Sequence, residues 1–454
     1  MNIIKKNWLL IIILILFCII EYFIPLNINS LYFHNLDINN YINNYTSITN
    51  GNILAELIII ITSKFKFIRI IFYSIISIYL FIYMMKIVCK KNITYIFISM
   101  FLFFLIDYEI LKSGFYSVDG FIYNILSCLF ILIILYLIIS NKINTTNKLK
   151  LFLLGLLGSL INPVYTILIS LISVIFIIKN IAKKSDFTRY FVIFAGSLIS
   201  SFIYVVLHFW NNDFYVIPNY ILNFIEYTIP LLYRNNFLLS LIMIVILFYL
   251  GYKIYNRDLT KRVYIILCFI SIIIYSIVYL FEFNIYFKYF AYIIYLASSY
   301  FILYNFNYSL TFKRKINLYY LFKILYILII NIFNSINISC LLFVYIIDIL
   351  IILECICYLF YDDFMKKTWI IFSIIMLVVN VYLTIDSYNK YNEMNSYIYN
   401  NLECNNYIID LPYKYKFIGF TNYIPCTLIQ KENYLKYYNI NISSDFYIKN
   451  KSID

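Results

Sequence analysis

The sequence predicts an all-α polytopic membrane protein, about 12–13 transmembrane or re-entrant helices with a small α/β extracytoplasmic C-terminal cap. Three observations predict it. Hydrophobic residues fill 64% of the 454 positions and charged residues only 13%, against about a quarter charged in a water-soluble domain. Apolar runs of roughly 20 residues recur along the chain, each long enough to cross a hydrocarbon core as a helix. Lysines and arginines gather in short clusters between those runs, as cytoplasmic loops do. The formal charge of +13 is therefore that of a membrane protein. No basic stripe with interleaved aromatics lies on a soluble segment, which excludes nucleic acid as a partner and leaves the lipid bilayer.

The first run, Trp8 to Phe23, follows Lys5 and Lys6. Only Ile24-Pro25-Leu26-Asn27 comes after it, without a small-residue cleavage site, so an uncleaved anchor is expected. A polar stretch without Lys or Arg runs from Asn27 to Asn52, and Gly51 to Ile61 reads as a short interfacial helix containing Glu56. Further spans are expected near 68–88, 93–106, 121–140, 190–208, 236–254, 263–281, 284–304, 319–335, 339–360 and 368–386. The stretch 151–178 is too long for one crossing, and Asn162-Pro163 interrupts it, so two short helices meeting as a re-entrant pair are expected. That reading keeps the clusters at Lys86/Lys90/Lys91, Lys142/Lys148/Lys150, Lys179/Lys183/Lys184/Arg189, Lys253/Arg257/Lys261/Arg262, Lys313/Arg314/Lys315 and Lys366/Lys367 on one side. By the excess of positive charge in cytoplasmic loops, this predicts a plasma-membrane protein with its N-terminus in the cytoplasm and its C-terminus outside.

Residues 1–386 then form the transmembrane domain, with outer loops at 26–67, 107–120 and 209–235, and residues 387–454 an extracytoplasmic domain. In the latter, a helix continuing to about Leu402, a strand at Tyr407 to Asp410 and a helix at Lys431 to Tyr438 are expected. Cys18, Cys89, Cys128, Cys268, Cys340, Cys355 and Cys357 lie in or beside apolar spans, where cysteine behaves as a small hydrophobe. Cys404 and Cys426 lie in the exported tail, where a disulfide is chemically allowed.

No glycine-rich nucleotide loop, no H-E-x-x-H and no G-x-S-x-G elbow is present. Ionisable groups concentrate instead at the outer face: His34, Asp37 and Glu56 in the first loop; Asp107, Glu109, Lys112 and Asp119 around Ser113-Gly114; and His208, Asp213, Glu226 and Arg234 in the third. An enzyme using a lipid-linked donor needs a carboxylate to deprotonate an acceptor hydroxyl, and Asp37, Asp107, Glu109 and Asp119 are the candidates. It also needs a cation to offset the charge on a departing lipid phosphate, for which Arg69, Lys112, Arg234 and His34 are candidates. A divalent metal is the one cofactor to consider, though His34-x-x-Asp37 supplies only two ligands at helical spacing and does not close a site. Asp348 and Glu354 fall inside the span 339–360, where a charge is costly unless paired or protonated.

Three segments together resemble the GT-C class of membrane glycosyltransferases. They are the anchor ending in Ile24-Pro25-Leu26 with Thr49-Asn50-Gly51-Asn52-Ile53-Leu54 after its loop; Lys112-Ser113-Gly114 with Tyr123-Asn124 downstream; and Ile408-Ile409-Asp410-Leu411-Pro412 with Tyr434-Leu435-Lys436-Tyr437-Tyr438-Asn439-Ile440. The resemblance implies transfer from a polyprenyl-phosphate-linked sugar donor to a surface glycan acceptor, with Asp37 as the base. The chain departs from the class in its first outer loop, where an acidic residue is expected and Asn27-Ile28-Asn29 stands. Two other readings follow from the same residues: a catalytically inactive scaffold of envelope assembly, and a proton-coupled transporter or polymer translocase using Asp348 and Glu354.

Overall fold

Long apolar runs leave the backbone no partner in lipid but itself, so they coil into helices wherever a capping residue starts them. The computed structural model describes residues 2–36, 52–88, 93–210, 237–281, 283–307, 309–332, 338–359, 363–403, 408–411, 428–438 and 447–450. Its helices in chain order are α1 (Asn2–Phe23), α2 (Ile28–Asn35), α3 (Ile53–Lys64), α4 (Lys66–Val88), α5 (Thr94–Phe103), α6 (Tyr108–Gly114), α7 (Val118–Ile139), α8 (Lys148–Ile161) and α9 (Pro163–Ala182). Then follow α10 (Thr188–Trp210), α11 (Phe237–Arg257), α12 (Arg262–Leu280), α13 (Ile285–Phe306), α14 (Leu310–Ile332), α15 (Leu342–Leu359), α16 (Asp363–Glu403) and α17 (Leu428–Tyr437). Two short strands, β1 (Ile408–Leu411) and β2 (Tyr447–Asn450), pair in parallel with Ile408 opposite Tyr447.

The caps explain most of the boundaries. Asn27, Asn147, Asn162 and Asn284 accept first-turn N–H groups at the starts of α2, α8, α9 and α13. Asp107 and Ser117 do the same for α6 and α7. Four of the many asparagines of this chain are thus spent on helix starts.

The fold is all-α and multi-pass. Seven helices among the described residues are long and apolar enough to cross a membrane: α4, α7, α9, α11, α12, α15 and α16; an eighth is added if the bent pair α5 and α6 counts as one. Trp8–Phe23 and Thr188–Ile203 are shorter apolar helices. The larger number expected from sequence is corrected accordingly. The run at 93–106 supplies only the 10-residue α5 before the chain turns through 103° into α6. The run at 319–335 starts earlier, at Leu310, because Lys313, Arg314 and Lys315 belong to the first turns of α14 and not to a loop. Helix α2 replaces part of the expected polar stretch after the anchor.

Helix α15 sits at the centre: every residue from Leu342 to Ile356 except Asp348 is buried. Around it the outer flanks of α10 to α13 expose large apolar side chains such as Phe202, Val263 and Phe290, the surface a lipid solvent requires. Helices α8 and α10 approach closely, since a Cβ at Gly155 would strike the Ile193 backbone and one at Gly196 the Phe152 carbonyl. Small residues let membrane helices touch backbone to backbone in this way.

One end of the bundle is basic, and its cations have structural work. Arg189 donates to the Ile143 carbonyl at 3.2 Å, Arg257 to Asn305 and Phe306 at 2.9 and 3.0 Å, Arg262 to Tyr255 at 3.1 Å, and Arg314 to Ile138 at 3.0 Å. Most of these carbonyls close helices, where the last turn has no partner of its own. Asp186 and Asp258 cap α10 and the turn before α12 at this face, and the N–H and O–H groups they accept hold both carboxyls below the usual range. The Lys148 start of α8 and the Lys183 end of α9 lie beside this same face, on either side of the break at Asn162.

Cys18, Cys128, Cys268 and Cys355 carry free thiols. Cys357, expected to act only as a small hydrophobe, is disulfide-bonded. Cys404 and Cys426 lie outside the described residues.

Candidate functional site

At the end of α1 and the start of α4, far from the basic face, three charged side chains come together. Glu21 ends the last turns of α1 and is 1% exposed; Arg69 opens α4 and is 3% exposed; Asp119 stands in the first turn of α7 and is half-buried. Arg69 lies within electrostatic reach of Glu21, and both Glu21 and Asp119 act on Tyr73 one turn along α4. The Arg69 Nη2 donates to the Ile24 carbonyl at 2.9 Å, while its Nε is buried without a partner. Neither carboxylate oxygen of Glu21 has a hydrogen-bond partner.

Asp119 is held from several sides. The Asn27 amide and the Ser117 hydroxyl (3.0 Å) both donate to its Oδ1. The Tyr73 hydroxyl donates to the neighbouring Val118 carbonyl at 2.9 Å, and its ring stacks on Phe121 with centroids 4.2 Å apart. A Cβ at Gly120 would meet the Ser113 carbonyl, so this turn admits only glycine. Asn27, which interrupts the acidic pattern of the class resembled, thus still serves the site by fixing an acid from another segment. Directly beyond, Phe121–Leu126 form a π-helical turn, a departure that frequently marks function.

Helix α17 covers this corner. It packs on α2, where the Asn35 amide donates to the Asn433 carbonyl at 3.0 Å and the His34 and Tyr437 rings meet edge to face at 5.0 Å. Tyr437 is also within electrostatic reach of Arg69. The Tyr391 and Asn395 side chains of α16 bind Tyr438, and the Tyr434 hydroxyl donates to Asn395 at 2.9 Å. Burial pushes the His34 imidazole below its ordinary value, assisted by the Lys64 charge and opposed by a hydrogen bond with Asn35. The folded state therefore resists a proton that the unfolded chain accepts, and stability falls as pH drops through the ordinary histidine range, near about 6.5. Protection of the α17 amides from hydrogen exchange, taken relative to the intrinsic rate at each pH, should fall between pH 7 and pH 5, and His34→Gln should remove that fall.

A second polar group lies between α14 and α15. Lys323 Nζ binds Asp348 Oδ1 at 2.6 Å, and Lys315 Nζ binds both oxygens of Glu354 at 2.9 and 3.0 Å. Lys315 also donates to the Val88 carbonyl at 3.0 Å, which places this pair at the basic face. Tyr319 adds a hydroxyl to Glu354 at 3.4 Å. Asp348 and Lys323 border a cavity of about 20 Å³, room for roughly one water molecule, together with Tyr275, Tyr292, Tyr295 and Tyr345.

Of the candidates named from sequence, Arg69 and Asp119 thus meet at one corner with His34 close by under α17. Asp107 caps α6 at the other end of the same turn, within electrostatic reach of Tyr345. Glu109 is exposed on α6, and Lys112 is half-exposed in its last turn. Asp37 and Arg234 lie outside the described residues. Among the described residues no group of three His, Cys, Asp or Glu side chains converges as metal ligands would. Neither Glu21, inside the apolar anchor, nor Lys323, inside the span 319–335, was among the candidates named from sequence. The rule that charges within spans mark sites would have found both.

No family model matches this chain, and neither does any curated protein or solved structure. What stands is a multi-pass helical membrane protein associated with the lipid bilayer. The likeness to GT-C enzymes rests on the quoted segments alone.

Proposed function

We propose that the chain is a membrane transferase of GT-C type that moves a sugar from a polyprenyl-phosphate donor to a cell-envelope glycan at the outer membrane face. The observation that carries this reading is the buried Arg69, with an unused Nε–H, within electrostatic reach of Glu21, while Asp119 acts on the same Tyr73. Orientation follows from the basic face being cytoplasmic, which puts this corner and the cap outside. The bond between the sugar C1 and the lipid-phosphate oxygen breaks as the acceptor oxygen bonds to C1. Asp119, fixed by Asn27 and Ser117, takes the acceptor's proton. Arg69 offsets the charge left on the lipid phosphate. The turn at Ser117 to Gly120 and helix α17 enclose the site and exclude water.

The test is transfer by the purified full chain from radiolabelled polyprenyl-phosphate sugars. Wild type is expected to transfer, Asp119→Asn and Arg69→Met to lose about 10²–10³ in rate, and Asp258→Asn at the basic face to match wild type. Absence of transfer by wild type across the common donor sugars sinks the reading and leaves the inactive scaffold in its place.

A further inference from the structure

We propose that the α14–α15 interface is a proton path across the membrane, running from Asp107 to Glu354. This is independent of the transferase reading. Lys315, Tyr319 and Lys323 recur every fourth residue and so line one face of α14, and α15 answers with Glu354, Asp348 and Tyr345. Charges and hydroxyls in such a file are expensive to bury, and a merely structural interface would use apolar groups of the same volume.

The file consists of two hydrogen-bonded ion pairs with tyrosines between and beyond them. At the basic face, Lys315 joins the Val88 carbonyl to Glu354, and Tyr319 donates to the same carboxylate. Between the two carboxylates α15 rises by about 9 Å. Tyr320 stands beside this step, in electrostatic reach of Lys323, Asp348 and Cys355, with its hydroxyl donating to Ser299 at 2.6 Å; water must carry the proton between the carboxylates. Asp348 is faced by Tyr292 and Tyr295 from α13 and by Lys323 from α14. Tyr345 lies toward the far end, within electrostatic reach of both Asp348 and Asp107. Its hydroxyl is buried, borders the cavity and has no hydrogen-bond partner. A water in that cavity would give it one and link it to the ion pair.

In the proposed cycle a proton from the Asp107 side passes over the Tyr345 hydroxyl to the Asp348 carboxylate and releases Lys323. The acid passes that proton through admitted water to Glu354, which releases Lys315, and Glu354 loses it to solvent at the basic face. Both ion pairs then re-form. One proton crosses, no electron moves, and only the pH difference or membrane potential is consumed.

The full chain in liposomes of neutral phospholipid, loaded with a trapped pH-sensitive dye and held at zero potential by potassium and valinomycin, tests this. After an external pH step, wild-type vesicles should equilibrate much faster than empty ones. Asp348→Asn and Glu354→Gln should fall back to the empty-vesicle rate, while Asp258→Asn keeps the wild-type rate. Tyr345→Phe removes only an unpartnered hydroxyl, so it should fold as wild type and still lose the flux. Wild type no faster than empty vesicles, or Tyr345→Phe as fast as wild type, overturns the proposal.

Discussion

Lys323→Met and Asp348→Leu are each expected to destabilise the protein by about 3–5 kcal/mol, whereas the double replacement should come close to wild type. The Lys323 and Asp348 side chains are only 6% and 13% exposed, and they meet at 2.6 Å in the interior of the helix bundle. Removing one partner strands a charge with room for roughly one water beside it, far short of its hydration in bulk. Removing both leaves two apolar side chains of similar volume, and the desolvation cost disappears with the attraction. Thermal unfolding in detergent, followed by circular dichroism and by thiol exposure of the buried Cys355, measures all three variants. Single variants as stable as wild type would mean that the pair is hydrated and not buried. A double variant as unstable as the singles would mean that the charges bind something besides each other.

The second large effect is expected at Glu21, with the opposite sign. Its two oxygens are buried without a donor, a burden of about 1–3 kcal/mol that Glu21→Met should relieve. Arg69→Met should cost about 1–3 kcal/mol, because it leaves the Ile24 carbonyl unsatisfied. On the transferase reading Glu21 acts on the Arg69 guanidinium through its charge, so Glu21→Met should lose transfer while gaining stability. A gain of stability with a loss of activity is the mark of a residue retained at a cost to the fold. Melting temperature and transfer rate measured on the same preparation decide it: if Glu21→Met melts lower, the carboxylate is a structural partner and the assignment fails.

The helices were largely legible because lipid makes them so. The reading of 263–281 differs by a single residue at each end from Arg262–Leu280, and 236–254 finds its start within one residue of Phe237. An apolar run bounded by polar residues carries its own ends. The site was legible only in fragments. Arg69 and Asp119 stood out as charges beside spans, but their meeting depends on Asn27 and Ser117, whose sequence neighbourhoods say nothing of it. Lys323 and Asp348 are 25 positions apart and find each other only because α14 and α15 run antiparallel. Lys315 was legible as part of a basic cluster and illegible as the partner of Glu354, since position along α14 decides which cation turns inward. Periodicity reports which face is apolar; pairing across helices is a property of the assembled bundle.

Helix α16 has 41 residues, about 60 Å of continuous rise, which is twice the thickness of a bilayer's hydrocarbon core. Its lower half is fixed by Ser373 donating to the Phe97 carbonyl, and its upper half holds Tyr438 through Tyr391 and Asn395. A strut of that kind has a phase as well as a length. Each residue inserted between these anchorages turns everything above it by about 100° and lifts it about 1.5 Å. The register of this single rod thus dictates which side of α17 faces His34 and the corner beneath it.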